Sequence, residues 1–118
     1  MNVQYIAEIG NNHNGDISLA KEMIDAAIAS EADYVKFQIY NLDKFIDKEN
    51  LYYNEFVNES LSFDNFRELK DYTEFKGGRF LATPFDEDSM DLLNDIGQDI
   101  VKIASGDMNN KQLIQQAI

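Results

Sequence analysis

The sequence has no cysteine and only one histidine, His13, among its 118 residues. Without cysteine the chain can form no disulfide bond and offers no thiolate to a metal, which fits a reducing compartment and predicts a cytoplasmic protein. Transition metals in proteins are usually held by several histidine or cysteine ligands. A single histidine therefore predicts that these residues hold no complete transition-metal site.

Positive charge is also scarce, because 10 lysines and arginines face 22 aspartates and glutamates, a net charge of −12. A field of this sign disfavours nucleic acids and anionic membrane surfaces, so neither is expected as a partner. A small anionic ligand stays possible, since a few buried lysines can dominate locally. No apolar run approaches the roughly 20 residues of a membrane span, and the first residues show no signal-peptide pattern.

Strand and helix patterns alternate along the chain in four successive units. Segment 41–59 is polar and aromatic without a clear period, and we interpret it as a long loop with a short helix. Strands are predicted at residues 3–9, 33–40, 79–83 and 99–104, and helices at residues 18–30, 63–76, 86–96 and 111–118. Strands that alternate with helices indicate a parallel sheet with right-handed crossovers.

The chain is long enough for one domain, residues 1–118, but a complete (β/α)8 barrel takes about 250 residues. Four βα units therefore predict an α/β fold that is a partial (β/α)8 TIM barrel, with a four-stranded doubly wound domain as the alternative. The barrel is favoured because each predicted strand ends in a polar cluster, and barrel enzymes collect such clusters at one face. An open half barrel leaves two strand edges unpaired, so we expect a homodimer or pairing with a second half barrel.

Two lysines occupy the interior of predicted strands, each between apolar residues. Lys36 and Gln38 are two residues apart and so point to the same face of their strand, and Lys102 repeats the arrangement two strands later. Burying an ammonium ion is costly unless it is paired, so two such lysines favour a shared phosphate or carboxylate partner. The hydroxyls of Thr83 and Ser105 would add neutral donors to the same anion.

Carboxylates lie at the same strand ends. Glu8 would face the lysines from the first strand and stay ionised beside them, as a base or an orienting acceptor. A structural salt bridge from either lysine to Glu8 or Asp107 is an equally compatible interpretation, and the step after Thr83 into proline is equally consistent with a simple strand end. His13 lies in an asparagine-rich turn, where a loop hydrogen bond is a better interpretation than a metal ligand.

Four motifs follow one another at these strand ends. The combination resembles the NeuB family, the N-acetylneuraminate (sialic acid) synthases with their legionaminate and spore-coat relatives. The resemblance covers nearly the whole chain and is weakest over residues 41–60. The motifs are IAEIGNNHNGD at 6–16, VKFQIY at 35–40, FLATPFD at 80–86 and VKIASGDMNN at 101–110.

The resemblance implies a (β/α)8 barrel followed by a small antifreeze-like domain, of which this chain would be the N-terminal half of the barrel. The implied reaction condenses phosphoenolpyruvate with an N-acetylmannosamine-type sugar to give a nine-carbon 2-keto acid and phosphate. A divalent metal, Mn²⁺ or Mg²⁺, would activate the sugar aldehyde. Its histidine ligands, the second half of the barrel and the antifreeze-like domain would lie outside these residues, so we expect the isolated chain to be inactive.

The resemblance also assigns roles residue by residue. Glu8 corresponds to the glutamate that handles a proton or the attacking water, and Gln38 to a residue near phosphoenolpyruvate and the sugar. Asp107 stands where relatives often carry glutamate, so its reach is one methylene shorter. The positions that correspond to phosphoenolpyruvate contacts are Lys36, Thr83, Lys102 and Ser105.

Two other functions stay open from the sequence. One is a non-catalytic half barrel that binds phosphate-bearing ligands or a partner chain. The other is a different barrel enzyme, such as an aldolase that uses Lys36 or Lys102 as a Schiff-base amine. The sugar cannot be assigned, because the residues that would recognise it lie largely outside this sequence.

Overall fold

The computed structural model describes residues 3–118, and its strands form one parallel sheet. The strands are β1 (Ile6–Gly10), β2 (Tyr34–Ile39) and β3 (Phe80–Pro84), in the order β1-β2-β3. The helices are α1 (Ile17–Ala29), α2 (Leu42–Phe45), α3 (Tyr53–Glu59), α4 (Phe63–Phe75), α5 (Glu87–Asp95) and α6 (Lys111–Ala117), with a 3₁₀ turn at Ser105–Asp107. The predicted parallel α/β arrangement is therefore confirmed, and segment 41–59 contains two short helices.

The predicted fourth strand, residues 99–104, is wrong as a strand. Within the described residues this segment makes one backbone hydrogen bond with β3, from the Lys102 amide to the Ala82 carbonyl at 3.0 Å. A strand requires a ladder of such bonds. The apolar pattern that suggested a strand reflects burial, because Val101 packs against the core.

Polar side chains set the starts of the three longer helices. Asp16 caps α1 by accepting hydrogen bonds from the first backbone amides of that helix. Ser62 caps α4 and forms a reciprocal capping box with Asn65. Asp86 caps α5 in the same way, immediately after β3. These caps satisfy amides that have no partner inside the helix, and they fix where each connection turns away from the sheet.

The hydrophobic core lies between one face of the sheet and helices α1 and α4. Phe37 of β2 is fully buried at its centre, stacked on Phe80 with ring centroids 5.6 Å apart and edge-on to Phe66 at 6.1 Å. Because successive strand residues point to opposite faces, the neighbours of Phe37 on its own strand point away from the core. The opposite face of the sheet therefore carries the polar residues.

No helix within residues 3–118 combines the length and the apolar composition that a span requires.

Candidate active site

The polar face of the sheet brings together side chains from all three strands. Strand alternation puts Lys36 and Gln38 on the face opposite the core. The parallel register pairs Glu8 of β1 with Lys36, and Gln38 with Thr83 of β3. Four residues that the sequence singled out therefore lie on adjacent strands, near their carboxyl ends, where parallel α/β folds bind ligands.

Lys36 is the centre of this arrangement. Its Nζ lies 2.7 Å from Glu8 Oε2 and donates a hydrogen bond to Thr83 Oγ1 at 2.9 Å. The Lys36 side chain is only 14% exposed, whereas that of Glu8 is 43% exposed. The ammonium group is thus held at a defined position by one charged and one neutral acceptor, which offsets the cost of its burial.

Gly10 leaves room for two of these side chains at the end of β1. It has a φ of +57°, and the register shifts between Glu8 and Gly10, so the strand bulges there. A Cβ atom at this position would lie 3.2 Å from Glu8 Oε1 and 3.7 Å from Gln38 Nε2. The absence of a side chain therefore leaves room for the carboxylate and the amide on the same side of the bulge.

Lys102 lies beside this group without joining it. The backbone amide of Lys102 donates to the Ala82 carbonyl, so Lys102 lies opposite Thr83. Strands β2 and β3 pair by the same parallel pattern. Because Val101 packs against the core, Lys102 points to the opposite, polar face. Its Nζ donates to the Ile103 carbonyl at 2.5 Å and the residue is exposed, so the charge is directed to solvent rather than to the Glu8–Lys36 pair.

The last two predicted site residues belong to the 3₁₀ turn after this segment. Ser105 is exposed and Asp107 is partly buried. Within residues 3–118, neither side chain forms a hydrogen bond or ion pair with the Glu8–Lys36–Thr83 group. The assignment of these two residues, and of the other predicted contacts, to a substrate stays a prediction.

His13 is buried in the loop between β1 and α1. It is 1% exposed, and its Nδ1 accepts a hydrogen bond from the Gly15 amide at 3.1 Å, which confirms the predicted loop hydrogen bond. Burial lowers the pKa of His13 from its usual value, because the charged imidazolium is poorly solvated there.

The described residues do not fit the divalent metal that the family resemblance implies. No group of three or more histidine, aspartate or glutamate side chains within residues 3–118 is arranged to hold an ion. The one histidine uses Nδ1 as an acceptor inside its own loop. No chemical step is therefore routed through a metal on this chain.

Asp86 is a functional candidate to which the sequence patterns assign no role beyond the start of the predicted helix 86–96. One of its oxygens caps α5, and the other accepts a hydrogen bond from the Asn41 amide at 2.6 Å. The only sequence signal was its position directly after the third strand. The hydrogen bond that Asp86 accepts from the loop after β2 cannot be inferred from the sequence.

These features define the class of the chain as part of a (β/α)8 barrel, with a polar site at the carboxyl ends of its strands. More specifically, the chain belongs to the NeuB family, whose model matches residues 23–118. The resemblance carried by the four motifs is thus confirmed.

Relatives support the same placement. The chain is 43% identical to the uncharacterized protein MJ1065 of Methanocaldococcus jannaschii, over 94% of this chain and 33% of that protein. It is 36% identical to the N,N'-diacetyllegionaminic acid synthase of Legionella pneumophila, over 93% of this chain and 35% of the synthase. The chain therefore spans about a third of the length of these relatives.

A solved structure shows the same fold. The N-acetylneuraminic acid (sialic acid) synthetase of Leptospira borgpetersenii, crystallised with citrate, superimposes with a TM-score of 0.92 at 38% sequence identity. The match covers 99% of this chain and 41% of the synthetase chain. The partial-barrel prediction is confirmed by this agreement.

Proposed function

We propose that this chain provides the phosphoenolpyruvate-binding part of a sialic-acid-type synthase. Two of the similar proteins are a diacetyllegionaminic acid synthase and a sialic acid synthetase, which supports the reaction class. In the proposed reaction, phosphoenolpyruvate condenses with N-acetylmannosamine or a related sugar to give a 2-keto sugar acid and phosphate. The sugar itself stays open, because the relatives include both legionaminic and sialic acid synthases.

The observation that carries this proposal is the position of the Lys36 ammonium group, held by Glu8 and Thr83 on the polar face of the sheet. A phosphate placed over this face would meet a fixed positive charge and a hydroxyl. Such preorganised groups stabilise charge that grows as a leaving group departs. Lys36 is therefore proposed to bind the phosphate. Thr83 is proposed either to donate to the phosphate oxygens or to hold Lys36 in place.

The proposed reaction requires a group that accepts a proton close to Lys36. The enol carbon attacks the sugar aldehyde, water adds at C2 of the phosphoenolpyruvate unit, and the C–O bond to phosphate breaks as the C2 carbonyl forms. The two protons of the water end on the former aldehyde oxygen and on the released phosphate. The water must lose a proton, and Glu8 is the carboxylate within reach of this centre. Its exposed side chain and its contact with Lys36 fit that role. Gln38, whose amide lies near the same face of Gly10 as the Glu8 carboxylate, is assigned to orienting phosphoenolpyruvate and the sugar.

Lys102, Ser105 and Asp107 complete the proposed site only after a ligand binds. Lys102 already points to the polar face beside Thr83, so an anion there can draw its flexible chain inward. Ser105 and Asp107 follow in the adjoining turn, where a hydroxyl and a carboxylate can approach the same ligand. The proposal therefore expects Lys102 to exchange its contact with the Ile103 carbonyl for the phosphate.

A purely structural salt bridge is the main alternative for Lys36 and Glu8. Such a bridge, with the Lys36 side largely buried, would serve the stability of the sheet, and its removal would leave ligand binding unaffected. A Schiff-base role for Lys36 has less support, because its amine contacts a carboxylate and a hydroxyl rather than apolar neighbours.

Calorimetric titration with phosphoenolpyruvate tests the proposal against the structural salt bridge. The variant is Lys36→Met, which keeps the apolar stem of the side chain. The matched control is Lys70→Met, since Lys70 is 13% exposed and also paired, with Glu74 on the surface of α4. We expect binding by the wild type and the control, and a loss of at least tenfold in the Lys36 variant, the scale of one charge-assisted contact. Equal affinities in all three proteins would refute the proposal.

Catalysis requires more than these residues. We propose that a divalent metal would supply the Lewis acid for the aldehyde, held by residues that this chain does not provide, and that the open sheet edges pair with a second half barrel or a second copy. The isolated chain with phosphoenolpyruvate, N-acetylmannosamine and Mn²⁺ is expected to form no product, and turnover would contradict this part of the proposal. Binding without turnover even beside a second half barrel would favour a non-catalytic role. We also propose a cytoplasmic location, because the proposed substrate, phosphoenolpyruvate, is phosphorylated.

A further inference from the structure

The carboxylate of Asp86 joins two loops that are far apart in the sequence. Its Oδ1 accepts the Ser89 amide at 2.8 Å and so caps α5. Its Oδ2 accepts the Asn41 amide at 2.6 Å. One side chain thus binds the start of the helix after β3 and the first turn of the chain after β2. Both bonds are made by a charged acceptor, the stronger class of hydrogen bond.

This connection lies just beyond the point where the β2–β3 ladder ends. The ladder reaches the pairing of Ile39 with Pro84, and a bond from the Phe85 amide to the Ile39 carbonyl extends it by one step. Asn41 and Asp86 come immediately afterwards. The carboxylate therefore replaces the next backbone bond and prevents the two strand ends from separating.

We propose that Asp86 is a positioning residue for the anion site, acting by fixing the carboxyl ends of β2 and β3. These two strands carry Lys36, Gln38 and Thr83, so the distance between their ends sets the geometry of the Lys36–Thr83 contact. The inference rests on the proposed function for its ligand, and the structural link itself stands apart from that function.

A second set of contacts holds the same loop less directly. The side-chain amide of Asn41 donates a hydrogen bond from Nδ2 to Asp88 Oδ2 at 2.7 Å, and Lys44 Nζ lies 3.0 Å from the same carboxylate. These contacts lower the pKa of Asp88 and raise that of Lys44, because each stabilises the charged form of its partner. They restrain the side chain of Asn41 and helix α2, whereas Asp86 holds the backbone next to the strand end.

The test is Asp86→Asn, which is nearly isosteric. An asparagine offers one oxygen and one N–H₂ group, so whichever way it turns, one of the two backbone amides faces a donor. Asp16→Asn is the matched control, because Asp16 caps α1 in the same manner and its carboxylate makes no bond to another strand end. Asp88→Asn is the second control, since it weakens the same loop without touching the backbone bond.

We expect phosphoenolpyruvate to bind about tenfold more weakly to the Asp86→Asn protein, equivalent to about 1.4 kcal/mol. Both controls should remain within about twofold of the wild type. The Asn41 amide should exchange its proton faster in the Asp86 variant, and the NMR signals of the Gln38 and Thr83 amides should shift. Should this variant fold poorly, Asp86→Ser keeps a capping oxygen and removes the second acceptor.

Two results would overturn the inference. The first is wild-type affinity in Asp86→Asn together with faster exchange at Asn41, which would show that the link does not position the site. The second is an equal loss of affinity in the Asp16 control. If the wild type itself fails to bind phosphoenolpyruvate, the proposed function fails instead. The shifts at Gln38 and Thr83, which need no ligand, then decide the positioning role: their absence refutes it.

Discussion

Replacing Gly15 with alanine should be among the most damaging single changes outside the core. Gly15 follows His13 in the loop between β1 and α1, with a φ of +72°. A Cβ atom at this position would lie 2.2 Å from the carbonyl oxygen of Asn58, at the end of α3. The contact is with backbone, so no side-chain rotation relieves it.

Two separate costs add in this variant. A left-handed backbone costs a residue with a Cβ about 1–2 kcal/mol. Forcing an extra methyl group against packed backbone costs a further 1–3 kcal/mol. We therefore expect Gly15→Ala to lower the free energy of unfolding by about 2–5 kcal/mol, a large part of the stability of a small domain.

Gly97 provides the matched control. Its φ is +70°, nearly the same, and a Cβ atom there would have no heavy atom within 4 Å. Gly97→Ala should therefore lose only the backbone cost, about 1–2 kcal/mol. Urea unfolding of both variants, followed by circular dichroism, isolates the contact between the β1–α1 loop and α3 as their difference. Equal destabilisation of the two proteins would refute this packing.

Other changes test the core and the site. Phe37→Ala should cost about 3–5 kcal/mol in urea unfolding, because the ring is fully buried; a loss below 1 kcal/mol would contradict its central place. Burial lowers the pKa of His13 below 6.5, so the unfolded chain takes up a proton first as the pH falls. Stability should thus decline as the pH falls below 6.5 in the wild type and less in His13→Gln, and parallel profiles would contradict this. Thr83→Val should cost about 1–3 kcal/mol by leaving a Lys36 donor without its acceptor, whereas Thr83→Ser should stay close to wild type.

Local patterns in the sequence predicted the elements that local interactions determine. Helix α4 begins at residue 63 as predicted, because its start is set by the Ser62 cap, which depends on residues within one turn. Residues 99–104 were wrongly predicted as a strand, because an apolar pattern reports burial and does not reveal how many backbone bonds a neighbour offers. Among residues 3–118, one such bond joins this segment to β3.

The candidate site was predictable to the extent that it follows from strand alternation. Lys36 and Gln38 share a face because they are two residues apart, and the parallel order brings Thr83 beside them. The direct contact of Lys36 with Glu8 depends on the register between β1 and β2, which spacing alone leaves open. The link from Asp86 depends on the shapes of two distant loops, so it required the structure.

The central claim is that an anion binds on the polar face, at the carboxyl ends of the strands, between Lys36 and Lys102. Titration of the ¹⁵N-labelled protein with phosphoenolpyruvate, followed by NMR, tests it most directly. We predict that the amide signals of Lys36, Thr83 and Lys102 all shift and that their shifts saturate at the same concentration of phosphoenolpyruvate. Shifts confined to the cleft around Tyr34 and Arg79, at the opposite ends of the strands, or no shifts at all, would contradict it.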